Sequence, residues 1–126
     1  MAQEGLKNSL AQQDQPRTTF EQSVLVNLCA GDYGLRDRVL LEFLRTAHLL
    51  VNQVIASMRA GNASETRSLA HALKGSSRLI GALALGDLCE AIEAANGNHS
   101  NDTFAFQLQS EFESLTTVIR NQLEGQ

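Results

Sequence analysis

Residues 67–81 read RSLAHALKGSSRLIG, and this stretch carries most of the information about the fold. An α-helix advances about 100° per residue, so a helix here gathers one mostly apolar stripe. His71 falls roughly 150° from the centre of that stripe, so we expect its ring to face water or the edge of a neighbouring helix. The members of the predicted stripe are Thr66, Leu69, Ala70, Leu73, Ser76, Ser77 and Ile80.

Three cationic residues share the polar face of this helix with His71. Arg67, Lys74 and Arg78 lie one turn before the histidine and one or two turns after it, at the spacings that bring helical side chains together. The chain as a whole is acidic, with a formal net charge of -4, so these cations are a local exception. A histidine among three cations indicates a site for an anion.

Gly75 follows His71 by four residues and so lies directly beside it on the helix. Glycine inside a helix costs on the order of 0.5 to 1 kcal/mol relative to alanine, so its presence needs a reason. One interpretation is that Gly75 ends the helix. The helical period continues to Ile80, however, and Gly81 is a better C-terminal cap, which favours a second interpretation. In that interpretation the bare surface lets another protein or a phosphoryl group approach closely.

The remainder of the chain predicts helices and no strands. A short helix should follow a capping box at Thr18 or Thr19, and residues 31–34 should form a turn. A loop of turn-forming residues is expected at 96–101. The four long helices are predicted from about Leu35 to Arg59, from a cap at Asn62 or Ser64 to Gly81, from near Ala84 to Ala95, and from near Asp102 onward.

These elements predict an all-α fold, an antiparallel four-helix bundle in up-down-up-down order with a short additional N-terminal helix. The 126 residues, 43% of them hydrophobic, suffice for one domain with a single core. Residues 1–17 are polar, and we expect a tail or a short helix there and the bundle domain at 18–126. The inward side of the last helix is predicted to consist of Phe104, Leu108, Phe112, Leu115, Val118, Ile119 and Leu123.

The composition also excludes several classes of protein. A net charge of -4 argues against broad nucleic-acid binding, which needs clustered cations. No uninterrupted apolar run approaches the roughly 20 residues that span a bilayer, and the N-terminus does not resemble a signal peptide. We therefore expect a cytoplasmic protein without a membrane segment.

One pattern extends over several of the predicted helices. The segment Ala70–Ser77 reads AHALKGSS, and upstream of it Gly31–Leu35 is followed by Val39, Leu40, Phe43 and Leu44. Downstream of the segment come Leu79, Gly81, Leu85, Leu88, Cys89, Glu90, Ile92 and Glu93. The combined pattern covers about 100 residues from Thr18 onward and resembles the histidine-containing phosphotransfer (HPt) domain of multistep phosphorelays.

The resemblance implies a phosphocarrier rather than an enzyme. It would accept a phosphoryl group from a receiver-domain aspartate onto His71 and pass it to the aspartate of another response regulator. Neutral imidazole is a good nucleophile near physiological pH, and its Nε2 atom can attack an aspartyl phosphate. The implied partners are receiver domains of a hybrid sensor kinase and of a response regulator, with Mg²⁺ on the partner and no cofactor bound to the chain itself. A monomer is expected, because one such site per bundle suffices.

The resemblance further implies roles for the neighbours of His71. Lys74 would stabilise the charge of the phosphoryl group, and Glu93 would orient the imidazole. Arg67 and Arg78 could attract the acidic pocket of a receiver or could be solvated helix residues. The predicted partner-binding residues are Arg67, Ser68, Gly75 and Arg78.

Three other classes of protein are alternatives to a phosphocarrier: a histidine kinase, a noncatalytic adaptor and a metal-binding bundle. A histidine kinase needs an ATP-binding domain, but the chain has neither a Gly-rich nucleotide loop nor the necessary length, and the residue after the histidine is Ala72 rather than an acid. A noncatalytic helical adaptor that binds receiver domains, with His71 incidental, stays open. No metal site is expected, since His71 has no ligand four residues on, and Cys29 and Cys89 should be free buried thiols.

Overall fold

The computed structural model describes residues 18–95, 97 and 101–124, and these form an all-α structure. No strand occurs in the described part of the chain, so the predicted fold class is confirmed. Residues 1–17, where a tail or short helix was predicted, and most of the predicted loop at 96–101 lie outside the described residues. The helices are α1 Gln22–Leu28, α2 Tyr33–Arg59, α3 Ala63–Ile80, α4 Leu83–Ala95 and α5 Asn101–Glu124.

The four long helices form the predicted antiparallel bundle, and α1 packs against α3 and α2. Each long helix contacts the next along the chain, and α5 closes the ring against α2. One buried polar contact joins α2 to α3, where the hydroxyl oxygens of Ser57 and Thr66 lie 2.6 Å apart. Both hydroxyls therefore have a partner inside the bundle, which offsets the cost of burying them.

Side-chain caps decide where α2 and α3 begin. The Asp32 carboxylate accepts a 3.0 Å hydrogen bond from the backbone N–H of Leu35, so α2 begins two residues earlier than predicted. Asn62 caps α3, as one of the two predicted caps: its Oδ1 atom accepts from the backbone N–H of Glu65 at 3.1 Å, and its Nδ2 atom donates to the Glu65 carboxylate at 3.0 Å. The first of these bonds satisfies one of the backbone N–H groups that an uncapped helix end would leave unpaired, and the second joins the two side chains.

Gly81 ends α3, as predicted, and also fixes the position of α1. Its φ of +91° is left-handed, and its carbonyl oxygen accepts from the backbone N–H of Glu21 at 2.8 Å. A Cβ atom at Gly81 would collide with the Glu21 carbonyl oxygen, so only glycine fits. The predicted capping box at Thr18 or Thr19 is wrong: α1 is capped by Glu21 without a side-chain bond, and the Thr18 carbonyl accepts from Ala84 at 3.1 Å instead.

The core lies between the four long helices and contains buried apolar residues of α2, α3 and α4. One prediction for α5 is wrong, because Val118 is 38% exposed while Ala105, which was not predicted, is buried. Val118 lies about 100° around the helix from Ile119, at the edge of the apolar stripe. Each fully buried Leu or Ile contributes about 1.5 to 3 kcal/mol. These residues are Leu25, Leu40, Leu73, Ile80, Leu85, Leu108, Leu115 and Ile119.

The longest helix, α2, is long and apolar enough to cross a membrane by length and composition. This was not predicted, because the helix contains no uninterrupted apolar run of that length. Its apolar side packs into the bundle through residues such as Leu40, Phe43 and Val54. Core helices of water-soluble bundles have the same composition. The property therefore assigns no membrane segment by itself.

Candidate functional site

The polar face of α3 presents His71 to solvent, as the sequence predicted. The buried side of this helix contains most of the predicted stripe, including Ala70, Leu73 and Ile80, whereas Leu69 and Ser76 are only partly buried. The side chain of His71 is 69% exposed. The helix continues through Gly75 without interruption, so the interpretation that this glycine ends the helix is wrong. The imidazole is thus held on a regular helix, where its backbone is fixed by packing on the opposite side.

A carboxylate from α4 joins His71 to Lys74. The Oε2 atom of Glu93 lies 3.0 Å from Nδ1 of His71, and its Oε1 atom accepts a 2.7 Å hydrogen bond from Nζ of Lys74. The side chains of Lys74 and Glu93 are only 18% and 23% exposed. We call this arrangement the Glu93 bridge, and it brings together the three residues predicted to take part in the chemistry.

The charge state of Glu93 decides which nitrogen of His71 is free. The hydrogen bond from Lys74, and to a smaller extent that from His71, lower the pKa of Glu93 against the opposing effect of burial. An ionised carboxylate can only accept hydrogen bonds, so the hydrogen between it and the ring belongs to Nδ1 of His71. In the neutral imidazole this leaves Nε2 with a free lone pair, which is the form a nucleophile needs.

The position of Lys74 adds a feature that the sequence did not predict. Its ammonium group was expected to serve a phosphoryl group on the histidine, but here it binds Glu93 and is largely shielded from solvent. The two partners lie on different helices, so no spacing within α3 could have indicated the contact. The Lys74 ammonium group therefore already donates one of its three N–H groups to Glu93.

Arg78 is held against α4. Its Nη2 atom donates to Oδ1 of Asp87 at 3.1 Å and to Oε2 of Glu90 at 3.2 Å. Gly86 makes room for it, because a Cβ atom there would lie 2.7 Å from Cγ of Arg78. The sequence prediction assigned no role to Asp87, Glu90 or Gly86, although a glycine in the middle of a predicted helix was a signal for a close contact.

The opposite flank of His71 is bare. Gly75 is exposed, and a Cβ atom placed on it would meet nothing within 4 Å. Ser68, on the same flank, and Arg67, on the side of Lys74, are exposed as well. Leu79, two turns beyond His71, is 56% exposed and was not predicted as a partner residue, although its place outside the apolar stripe could have indicated it. The surface beside the histidine is thus open to a close approach.

Other chemistry is not supported near this site. No group of three or more potential metal ligands occurs among the described residues. Cys89, one turn before Glu93, is buried, and burial raises its pKa to about 12, so it stays a neutral thiol. Cys29 is also free and buried, which confirms both cysteine predictions.

Comparisons with known proteins agree with one another. The Hpt domain family model matches residues 38–123. The fold is similar to histidine-containing phosphotransfer protein B from Pseudomonas aeruginosa PAO1, with a TM-score of 0.79, 22% identity, and coverage of 86% of this chain and 96% of that one. It is also similar to the HPT domain of a sensor hybrid histidine kinase from Shewanella, with a TM-score of 0.69, 17% identity and the same coverage of both chains. No curated protein sequence matches the chain.

Proposed function

The chain belongs to the Hpt domain family and therefore acts in histidine phosphotransfer within phosphorelays, and we propose that His71 is the residue that carries the phosphoryl group. The observation that supports this assignment best is the Glu93 bridge. It holds the proton on Nδ1 and leaves Nε2 exposed on a helix face whose next turn, at Gly75, has no side chain. His48, the other histidine among the described residues, has no carboxylate partner in its described contacts.

In the proposed step, a receiver domain presents its aspartyl phosphate to the bare flank of His71. The lone pair of Nε2 attacks phosphorus in line, the Nε2–P bond forms, and the P–O bond to the aspartate breaks with its electron pair going to the carboxylate. Nδ1 keeps its proton, and the positive charge that develops on the ring faces the Glu93 carboxylate. The reverse sequence of bonds passes the group to the aspartate of a second receiver.

The neighbours of His71 divide the remaining tasks. Glu93 orients the ring and stabilises its positive charge, and Lys74 stabilises the charge of the phosphoryl group. Gly75, together with Ser68 and Arg67, forms the surface that a receiver covers. Arg78, which is bound to Asp87 and Glu90 of α4, contributes to receiver binding at that edge of the bundle.

We further propose that the chain is a phosphocarrier without an ATP site of its own, works as a cytoplasmic monomer and binds neither nucleic acid nor metal. The partners are the receiver domains of a hybrid kinase and of a response regulator, and Mg²⁺ is bound by the receiver during transfer. A mass of 13.7 kDa by light scattering is expected for the monomer. Twice that mass would contradict it.

The test is phosphotransfer to the parent protein, to His71→Gln and to His48→Gln from phosphorylated receiver domains with Mg²⁺. We expect acid-labile, alkali-stable label on the parent and on His48→Gln and none on His71→Gln, because only Nε2 of His71 is presented to the receiver. Label that persists on His71→Gln would overturn the assignment. Receiver binding that is independent of His71, with no label on any variant, would favour a noncatalytic adaptor.

A further inference from the structure

Once His71 is phosphorylated, two anions lie near the single ammonium group of the Glu93 bridge. They are the Glu93 carboxylate and the phosphoryl group. In the unphosphorylated protein Nζ of Lys74 is bound to Oε1 of Glu93 at 2.7 Å, and its side chain is 18% exposed. Nδ1 and Nε2 of the imidazole are separated by one ring carbon, so a phosphoryl group on Nε2 lies within a side-chain length of the carboxylate on Nδ1. The phosphoryl group adds about two negative charges at that distance.

We propose that Glu93 and the phosphoryl group compete for Lys74, so that Glu93 keeps the phosphohistidine short-lived and ready for onward transfer. This inference rests on the proposed function, because it requires the phosphoryl group to be on His71. Lys74 then changes partner in each cycle: it binds Glu93 in the resting protein and shares its ammonium group with the phosphoryl oxygens after transfer. The exchange moves no proton, since Lys74 stays an ammonium ion and Glu93 a carboxylate throughout.

The geometry makes the exchange possible. The ammonium group of a lysine sits on a flexible stem of four carbons and donates in three directions, so it can turn from one anion to another without a change in the helix. Lys74 follows His71 by three residues, within reach of the same surface. The carboxylate it leaves behind stays bonded to Nδ1 of His71.

Lys74 is the cationic side chain to which Glu93 is bonded, and the other charged groups nearby have partners of their own. Arg78, one turn further along α3, is bound to Asp87 and Glu90 of α4, and Cys89 between them is neutral because burial raises its pKa to about 12. Among the described residues, the charges that lower the pKa of Glu93 are those of Lys74 and His71. A change of Glu93 therefore acts first on these two neighbours.

A double-mutant cycle tests the competition without any receiver. The parent, Glu93→Gln, Lys74→Ala and the double variant are loaded with phosphoramidate, and the phosphohistidine signal is followed by ³¹P NMR, with His71→Gln to assign it. In the decay that is measured, water attacks phosphorus, the Nε2–P bond breaks, its electron pair returns to Nε2, and orthophosphate leaves. Circular dichroism confirms that each variant is folded.

We expect Glu93→Gln to lengthen the half-life about three- to fivefold and Lys74→Ala to shorten it by a similar factor, the range that a partly exposed ion pair supplies. In the Lys74→Ala background, Glu93→Gln should change the half-life less than about 1.5-fold, because no ammonium group is left to compete for. Glu90→Gln is the matched control, since it removes the same charge one turn earlier on α4 from a carboxylate that binds Arg78.

Two different failures can be told apart. An equal effect of Glu93→Gln with and without Lys74 would show that Glu93 acts directly on the ring or the phosphoryl group, which overturns the competition and leaves the proposed function intact. A half-life that Glu90→Gln changes as much as Glu93→Gln would reduce the effect to net charge and would also overturn it. The absence of any signal assigned to His71 would contradict the proposed function itself.

Discussion

Two exposed histidines on opposite sides of the bundle differ in every respect that matters for chemistry. His71 of α3 faces α4 and is bonded to the Glu93 carboxylate at 3.0 Å, whereas His48 of α2 faces α5 and lies with its ring centroid 6.3 Å from that of Phe112. Four residues after His71 stands Gly75 with open space above it; four residues after His48 stands Asn52, whose amide nitrogen is 3.4 Å from Nε2 of the ring. Exposure is therefore not what sets the two apart.

The difference shows which features of the structure the proposed role of His71 as a phosphoryl carrier depends on. A carboxylate from a second helix fixes the tautomer and leaves Nε2 free, and a missing side chain one turn away gives a partner access to it. At His48 the ring packs against an aromatic residue at the edge of a groove of about 520 Å³, and its Nε2 atom already faces an amide. Each of these two features of the His71 region can be changed separately, which allows the comparison to be tested.

The largest effect is expected from filling the space beside His71. Gly75→Gln places a side chain where no atom lies within 4 Å of the Cβ position, so the helix should tolerate it while a receiver cannot approach. We expect receiver affinity to fall tenfold or more, about 1.4 kcal/mol, in a binding titration, with helix content unchanged by circular dichroism. Asn52→Gln adds a glutamine at the same spacing from His48 and should leave receiver affinity unchanged. Equal losses in both variants would refute the close-approach argument.

Features that depend on residues close together in sequence could be predicted, whereas features that depend on contacts between distant segments could not. The apolar stripe of α3 and the caps at Asn62 and Gly81 follow from residues close together in sequence, and the structure contains most of that stripe and both caps. The capping box at Thr18 or Thr19 was wrong because the N-terminal backbone bonds to Ala84, which is far away in sequence. Local patterns predict helices, but they do not predict contacts between segments that are far apart in sequence.

The same distinction between local patterns and distant contacts holds for the residues of the candidate site. His71, Lys74 and Gly75 share one helix, so their spacing could be recognised, and Glu93 was identified only through the family resemblance. The bond between Lys74 and Glu93 and the attachment of Arg78 to α4 depend on how two helices are rotated against each other. Packing fixes that rotation, so no spacing within either helix contains it.

A smaller effect is expected from alanine substitutions at two glycines inside helices, Gly75 in α3 and Gly86 in α4. Gly75→Ala should raise the free energy of unfolding by about 0.5 to 1 kcal/mol, because alanine is the better helix former and the Cβ position is open. Gly86→Ala brings the same gain in helix propensity, but its Cβ atom would lie 2.7 Å from Cγ of Arg78 and displace the side chain from Asp87 and Glu90. We expect no net gain there.

Urea unfolding of both alanine variants at pH 7 measures this difference. The expected order of stability is Gly75→Ala, then the parent, with Gly86→Ala at or below the parent. Equal stabilisation by both substitutions would mean that Arg78 relocates at no cost. In that case its bonds to α4 would contribute nothing to the bundle.

The smallest effect concerns two acidic residues whose environments act in opposite directions. The hydrogen bond from Lys74 lowers the pKa of Glu93, while burial raises the pKa of Glu111 on α5 against a bond from Thr19, and Oε2 of Glu111 is buried with no hydrogen-bond partner in the described residues. Glu93 therefore adds stability at pH 7 that is lost only as pH falls below its ordinary value of 4.5 and through the lowered pKa. Ionised Glu111 instead costs stability at pH 7, and the cost disappears as pH falls through the raised pKa.

Thermal melts of Glu93→Gln and Glu111→Gln at pH 7, 5 and 4 should separate the two signs. At pH 7 the first substitution should lower Tm and the second should raise it, each by a few degrees at most. Between pH 7 and pH 5 the deficit of Glu93→Gln should not shrink, because the lowered pKa keeps that carboxylate ionised in the folded chain. The advantage of Glu111→Gln should shrink as the pH falls, because the raised pKa makes Glu111 take up a proton in the folded parent before it does so in the unfolded chain. Parallel pH profiles for the two variants would contradict both assignments, since one surface-charge effect would then explain them equally.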